Sequence, residues 1–131
     1  MIVGERILEI SGNKKKREPI KGLNINIGIE KVDVKGEDVE IEYLYTANYS
    51  EDIGQLQIRG VLLSKEDKKA AKEIDDEWKK SKKIPESLTT QVLSAINYSG
   101  SANGTLLARV LGLTAPLIPP RIQLSPKKES K

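Results

Sequence analysis

Two runs decide the fold: Val39-Glu40-Ile41-Glu42-Tyr43-Leu44-Tyr45-Thr46-Ala47-Asn48-Tyr49 and Gly54-Gln55-Leu56-Gln57-Ile58-Arg59-Gly60-Val61-Leu62-Leu63, joined through Ser50-Glu51-Asp52. In the first run Val39, Ile41, Tyr43, Tyr45 and Ala47 recur at every second position, the period of a strand whose side chains alternate between two faces. Closing the turn at Tyr49 and Gly54 sets Ala47 opposite Leu56, Tyr45 opposite Ile58, Tyr43 opposite Gly60 and Ile41 opposite Leu62. Each pair then lies on one face, whereas a slip of one residue turns one strand's apolar set the other way. A glycine opposite Tyr43 leaves room for a ring lying across the strand. The second face carries Glu40, Glu42, Thr46, Gln55, Gln57 and Arg59, with Leu44 and Val61 among them. Such a sheet is covered on one side and wet on the other.

Upstream, Ile25, Ile27 and Ile29 alternate with Asn24, Asn26 and Gly28, and Val32 and Val34 continue on the opposite parity. The switch near Glu30 calls for a bulge or a change of buried face. Lys35-Gly36-Glu37-Asp38 is a turn; closing it at Val34 and Val39 brings Val32 opposite Ile41, in the same register. Residues 2–10, with Ile2, Val3, Ile7, Leu8 and Ile10, read as a short further strand, and Ser11 to Pro19 as a polar loop.

Downstream, Ser64-Lys65-Glu66-Asp67 reads as a helix start. Ala70, Ala71, Ile74 and Trp78 recur at helical spacing, and lysines 79, 80, 82 and 83 gather where the helix dipole favours cations. Trp78 reads as an anchor under the sheet or at a subunit contact, and Pro85 separates this helix from a second. By composition Ser99-Gly100-Ser101-Ala102-Asn103-Gly104 is a loop signal. By phase it is not: Leu88 to Leu106 is five turns at about 3.6 residues each, and Leu88, Val92, Ile96, Leu106, Val110 and Leu113 form one apolar stripe. The expectation is one helix from about Glu86 to Leu111, followed by an extended segment to Pro120. The fold class is therefore α+β: a four-stranded antiparallel β-meander, then a charged helix and a long C-terminal helix packed on the sheet. A single domain is expected over residues 1–125, with a disordered basic tail at 126–131.

Of the 131 residues none is cysteine or histidine, which removes disulfides, thiolate nucleophiles, zinc–thiolate sites and the imidazole of hydrolase triads. No catalytic residue, metal ligand or cofactor is assigned, and an enzyme is not expected. Asp75-Asp76-Glu77 diverge on a helix rather than converge on a cation. The glycines near position 100 lack the Gly-Lys-Ser/Thr ending of a phosphate loop. The 22 basic residues face 19 acidic ones for a net charge of +3, so a nucleic-acid contact would fall to the run Lys14-Lys15-Lys16-Arg17, with the lysines around 79–83. Its bland alternative is a solvated turn, and three of the four tyrosines fall in one strand, leaving no platform for stacking bases. The acceptor patterns Asn48-Tyr49-Ser50 and Asn97-Tyr98-Ser99 are idle without a secretion signal. No apolar stretch reaches the roughly 20 residues of a membrane span and no signal-peptide core is evident, so a cytoplasmic chain without membrane insertion is expected. The weight of lysine and glutamate leans toward a heat-adapted composition.

The order of these features resembles the archaeal branch of the SecB-like family, relatives of the bacterial export chaperone. The likeness rests on the strand ending Gly54 to Leu63, the charged helix with Trp78, the long helix with small residues midway, and the closing Leu113-Thr114-Ala115-Pro116-Leu117-Ile118-Pro119-Pro120. The charged stretch Lys65 to Lys83 departs from the bacterial pattern. The resemblance implies an ATP-independent chaperone, a homo-dimer or homo-tetramer that holds unfolded polypeptide clients in apolar grooves, with relatives in protein transport and in toxin–antitoxin systems. On that reading the candidate client-binding residues are Ile25, Ile27, Ile29, Leu44, Val61, Leu117 and Ile118, with the segment from Leu113 to Ile118 left uncovered. The alternative is an RNA- or ribosome-associated protein using Lys14, Lys15, Lys16 and Arg17.

Overall fold

The computed structural model describes residues 1–116. Four strands, β1 (Ile2–Lys14), β2 (Leu23–Lys35), β3 (Asp38–Tyr49) and β4 (Gly54–Lys65), precede two helices, α1 (Lys68–Ser81) and α2 (Glu86–Leu111). The strands form one antiparallel sheet in the spatial order β1-β4-β3-β2. Hairpins join β2, β3 and β4, while β1 completes the sheet beside β4. The chain between β1 and β2 therefore crosses from one edge to the other. It is held under the β3–β4 turn by the backbone N–H of Lys15, which donates to the Ile53 carbonyl at 2.7 Å, and by that of Ser50, which donates to the Gly22 carbonyl at 3.0 Å.

The register is the one the alternation demands: Ala47 faces Leu56, Tyr45 faces Ile58, Tyr43 faces Gly60, Ile41 faces Leu62 and Val32 faces Ile41. The parity switch near Glu30 is a bulge, with the pairing shifting between Ile29 and Lys31. Its extra residue lets Ile25, Ile27, Ile29, Val32 and Val34 all share the face of Tyr43 and Tyr45. That face is closed by the two helices. Val39, Ile41, Tyr43, Tyr45, Leu56 and Ile58 are fully buried there, with Ala71, Ile74 and Trp78 of α1 and Leu88, Val92, Ile96 and Ala108 of α2. Each large apolar side chain so buried contributes about 1.5–3 kcal/mol.

The glycines of α2 lie inside a continuous helix because the Tyr45 ring and Pro116 take the space of their side chains. A Cβ at Gly100 would lie 2.3 Å from the Tyr45 ring, and one at Gly104 would lie 2.7 Å from Pro116. In the sheet, a Cβ at Gly60 would fall 2.6 Å from the Tyr43 hydroxyl. Helix α2 thus approaches over two bare backbone positions, which small residues alone permit.

Three expectations are corrected. Strand β1 runs on to Lys14, because Ser11, Gly12, Asn13 and Lys14 find ladder partners in Gln57, Leu56, Gln55 and Gly54 of β4. Ser64 and Lys65 likewise belong to β4, and Asp67 caps α1 by accepting from the Ala70 N–H at 2.8 Å. Finally, Leu106 and Val110 are not core: they are 63% and 83% exposed. Counting by fours from Leu88, the buried line continues Val92, Ile96, Gly100, Gly104, Ala108, so small residues take the core positions and the large ones fall outside.

The β3–β4 turn holds Glu51 and Asp52 at φ of 62° and 58°, a left-handed region that glycine enters freely and asparagine or aspartate more readily than glutamate. Replacing the pair by Asn-Gly should raise unfolding stability in denaturant titrations by about 1 kcal/mol. Gly100→Val should lower it by about 3 kcal/mol, as expected of an overpacked contact.

Candidate functional site

Strand β2 is an edge of the sheet, so one row of its backbone N–H and C=O groups has no strand partner. Ile25, Ile27 and Ile29 are half-buried along it and alternate with exposed Asn24, Asn26 and Gly28. They point to the helix side, where α1 packs against β2. The result is a ledge of branched apolar side chains beside an open backbone edge, the geometry that accepts an extended peptide by strand addition.

Leu44 and Val61 lie on the opposite face. Leu44 sits between Gly28 and Arg59, and Val61 between Glu42 and Arg6. Charges roof this face. Arg59 of β4 reaches Glu30 at 2.5 Å, Glu42 at 3.7 Å and Glu9 at 3.9 Å, linking all four strands, and Arg6 pairs with Glu40 at 3.8 Å. Under that cover Val61 is 5% exposed. The two residues therefore do not join the isoleucines in one groove. Leu117 and Ile118 lie outside the described residues. The segment leading to them is not left open as expected, because Leu113 is buried and Pro116 packs at Gly104.

The basic run is spread over structural tasks. Lys14 Nζ donates to the Gly112 carbonyl at 3.2 Å, at the C-terminus of α2, where a cation complements the helix dipole. Lys15 pairs with Asp52 at 3.2 Å, and Lys16 Nζ donates to the Glu51 carbonyl at 3.0 Å. Arg17 stands exposed. Three of the four charges thus fasten the crossover to the acidic turn and to α2.

Residues that sequence patterning passed over form a second apolar surface. Val3, Ile7, Leu8 and Ile10 of β1 and Tyr98, Leu106 and Val110 of α2 are exposed. The four-residue spacing of Tyr98, Ala102, Leu106 and Val110 is the signal that marks the outer stripe. It was legible only once the glycines were assigned to the core line.

Between β1 and α2 lies a polar link. The Tyr43 hydroxyl donates to the Glu5 carboxylate, Ser99 Oγ donates to the same group at 2.8 Å, and Asn103 Nδ2 donates to Ser99 Oγ at 3.1 Å. Burial, reinforced by the Glu5 contact, pushes the Tyr43 phenol well above its ordinary value. Burial also raises Tyr45, and it raises Tyr49, whose hydroxyl donates to the Thr114 carbonyl, to about 12. Among the described residues no cluster of acidic side chains is placed to hold a metal ion, and no helix is long and apolar enough to cross a membrane.

No protein-family model and no curated protein matches the chain in sequence. Among solved structures it is similar to the Mycobacterium tuberculosis Rv1957 SecB-like chaperone, solved in complex with a ChAD peptide from the Rv1956 HigA1 antitoxin. The TM-score is 0.58 at 17% identity, over 96% of this chain and 91% of that one. A four-stranded antiparallel sheet with two helices is thus shared with a SecB-like chaperone at an identity that speaks for fold alone.

The raised tyrosine values carry a pH dependence. A phenol whose folded value exceeds its unfolded value of about 10 favours the folded state below that pH, and the contribution is lost as pH rises through the folded value. Stability should hold up to about pH 10 and then fall toward pH 12, the value of Tyr49. Phenolate absorbance from the strand tyrosines should appear together with unfolding. Tyr43→Phe should cost about 1–2 kcal/mol in denaturant titrations, because Glu5 loses a donor.

Proposed function

We propose that this protein is an ATP-independent chaperone-like protein that binds unfolded or extended polypeptide segments as a homo-oligomer. The observation that carries this reading is the β2 edge, where Ile25, Ile27 and Ile29 flank an open backbone row in a fold shared with a chaperone whose solved complex contains a peptide. Strand addition supplies main-chain hydrogen bonds whatever the client's sequence, and alternate client side chains meet the isoleucine ledge. Binding of this kind needs no nucleophile and no nucleotide, in keeping with a chain that has neither cysteine nor histidine. Leu44 and Val61 lie on the opposite face from the isoleucines, beside the Arg59 ion pairs, and that face serves as a control.

The test is aggregation of a heat-denatured client, followed by light scattering with and without a stoichiometric amount of this protein and with no nucleotide present. Suppression of aggregation is the expected outcome. Ile27→Asn and Ile25→Asn should weaken it severalfold, while Leu44→Gln should leave it near the parent level. A folded protein with no effect on client aggregation overturns the proposal. Equal loss from the Leu44 and isoleucine variants overturns the assignment to the β2 edge.

A further inference from the structure

The open row of β2 is not uniform along its length. From Leu23 to Ile29, seven residues, the strand carries no charge: four apolar side chains alternate with Asn24, Asn26 and Gly28. Charge sets in on either side. Lys21 stands before this stretch, paired with Glu51 at 3.8 Å, and Glu30, Lys31, Asp33 and Lys35 come after it. The bulge sits at the second boundary. The pairing of β2 with β3 shifts between Ile29 and Lys31, so Glu30 is the extra residue, and its carboxylate pairs with Arg59. A bulge bends the strand that carries it and breaks the regular ladder of its N–H and C=O groups. A bulge flanked by charged side chains is one of the devices that blunt a sheet edge. The β2 edge is therefore blunted from Glu30 onward and open before it.

The residues that alternate with the isoleucines give the chemistry of the other face. Directly opposed cross-strand residues share a face and interact. Asn24 ends a row that runs Gln55, Asn48, Asn24 across β4, β3 and β2, and Asn26 ends one that runs Gln57, Thr46, Asn26. Within the first row Gln55 Nε2 donates to Asn48 Oδ1 at 2.7 Å. Every side chain in these rows is uncharged and offers both a donor and an acceptor. A strand added outside β2 sets alternate side chains at the free ends of the two rows, beside Asn24 and Asn26, and the others against the isoleucines.

We infer that the β2 edge takes a client segment of about seven residues, the length of Leu23–Ile29, in which apolar residues alternate with uncharged amide or hydroxyl residues, and that the bulge at Glu30 ends the pairing. This rests on the client reading above and narrows it to a class of segment: short, neutral and two-faced. The apolar side of the segment lies on the ledge, and its polar side extends the amide and hydroxyl rows by one member each.

The experiment is fluorescence anisotropy of labelled synthetic peptides, acetylated and amidated at their ends, titrated with the full chain. Valine–asparagine repeats of five, seven, nine and eleven residues give the length dependence. Affinity should rise about fivefold from five to seven residues, the worth of one added net hydrogen bond, and then stay level. In a variant lacking Glu30, with circular dichroism confirming its fold, affinity should go on rising to nine residues. At seven residues, valine–lysine and valine–glutamate repeats should bind severalfold more weakly than valine–asparagine. Asn26→Glu, a change at an exposed position, should reverse that order for the lysine peptide. A parent whose affinity still grows at nine and eleven residues overturns the length limit, and so does a folded Glu30 deletion that stops at seven. Peptides bound alike whatever their charge, with Asn26→Glu making no difference, overturn the neutral selectivity. In each of these cases, binding that is lost on Ile27→Asn leaves the client edge itself standing. Absence of binding at every length overturns the client edge together with this inference.

Discussion

The distance between α2 and the sheet is set by the Tyr45 ring lying against the bare backbone of Gly100. The ring occupies the place of a side chain at position 100, within 2.3 Å of where a Cβ would be. Tyr43 makes a parallel demand in the plane of the sheet, its hydroxyl above Gly60. From these two seats much of the remaining arrangement follows. The helix comes close enough for Ser99 to reach Glu5 on β1, for Leu107 and Leu111 to cross Gly12, and for Pro116 to pack at Gly104. Because small residues hold the inner line, the large ones at 98, 106 and 110 are left on the outer surface.

The two faces of the sheet answer different needs. The helix side holds the apolar core, with the link of Glu5, Tyr43 and Ser99 at its β1 border. The open side is laced by Arg59, whose guanidinium reaches carboxylates from the other three strands. Exposed pairs of this kind add little stability, of order 0–1 kcal/mol each, and they lie beside a half-buried Leu44 and a buried Val61. Among the described residues the exposed large apolar side chains lie on Met1, β1 and the outer line of α2. A charged open face of this kind disfavours association of sheets face to face.

The crossover between β1 and β2 explains what the lysine run does. A chain that leaves one edge of a four-stranded sheet and returns at the other must pass across the end of the central hairpin. Lys15, Lys16 and Lys21 meet the acidic Glu51–Asp52 turn there, and Lys14 caps α2. Charges that looked like a nucleic-acid loop in one dimension are fasteners in three.

Strand existence, register and the length of α2 were legible in the residues alone, because each depends on local periodicity: the two-residue alternation of β3 and β4, and the four-residue line from Leu88 onward. The bulge at Glu30 was visible as a break in parity. Which edge β1 would join was not, since strand order depends on contacts between residues far apart in sequence, as with Lys14 beside Gly54. Nor could the pattern tell that Leu106 and Val110 face out, because leucine and valine fit a buried line better than glycine does until the Tyr45 ring is seen in that space. The candidate client residues divided for the same reason. Alternation places Ile27 and Leu44 on opposite faces of the sheet, but only the tertiary structure, by putting both helices on one side and the Arg59 ion pairs on the other, decides which apolar residues remain available to another chain.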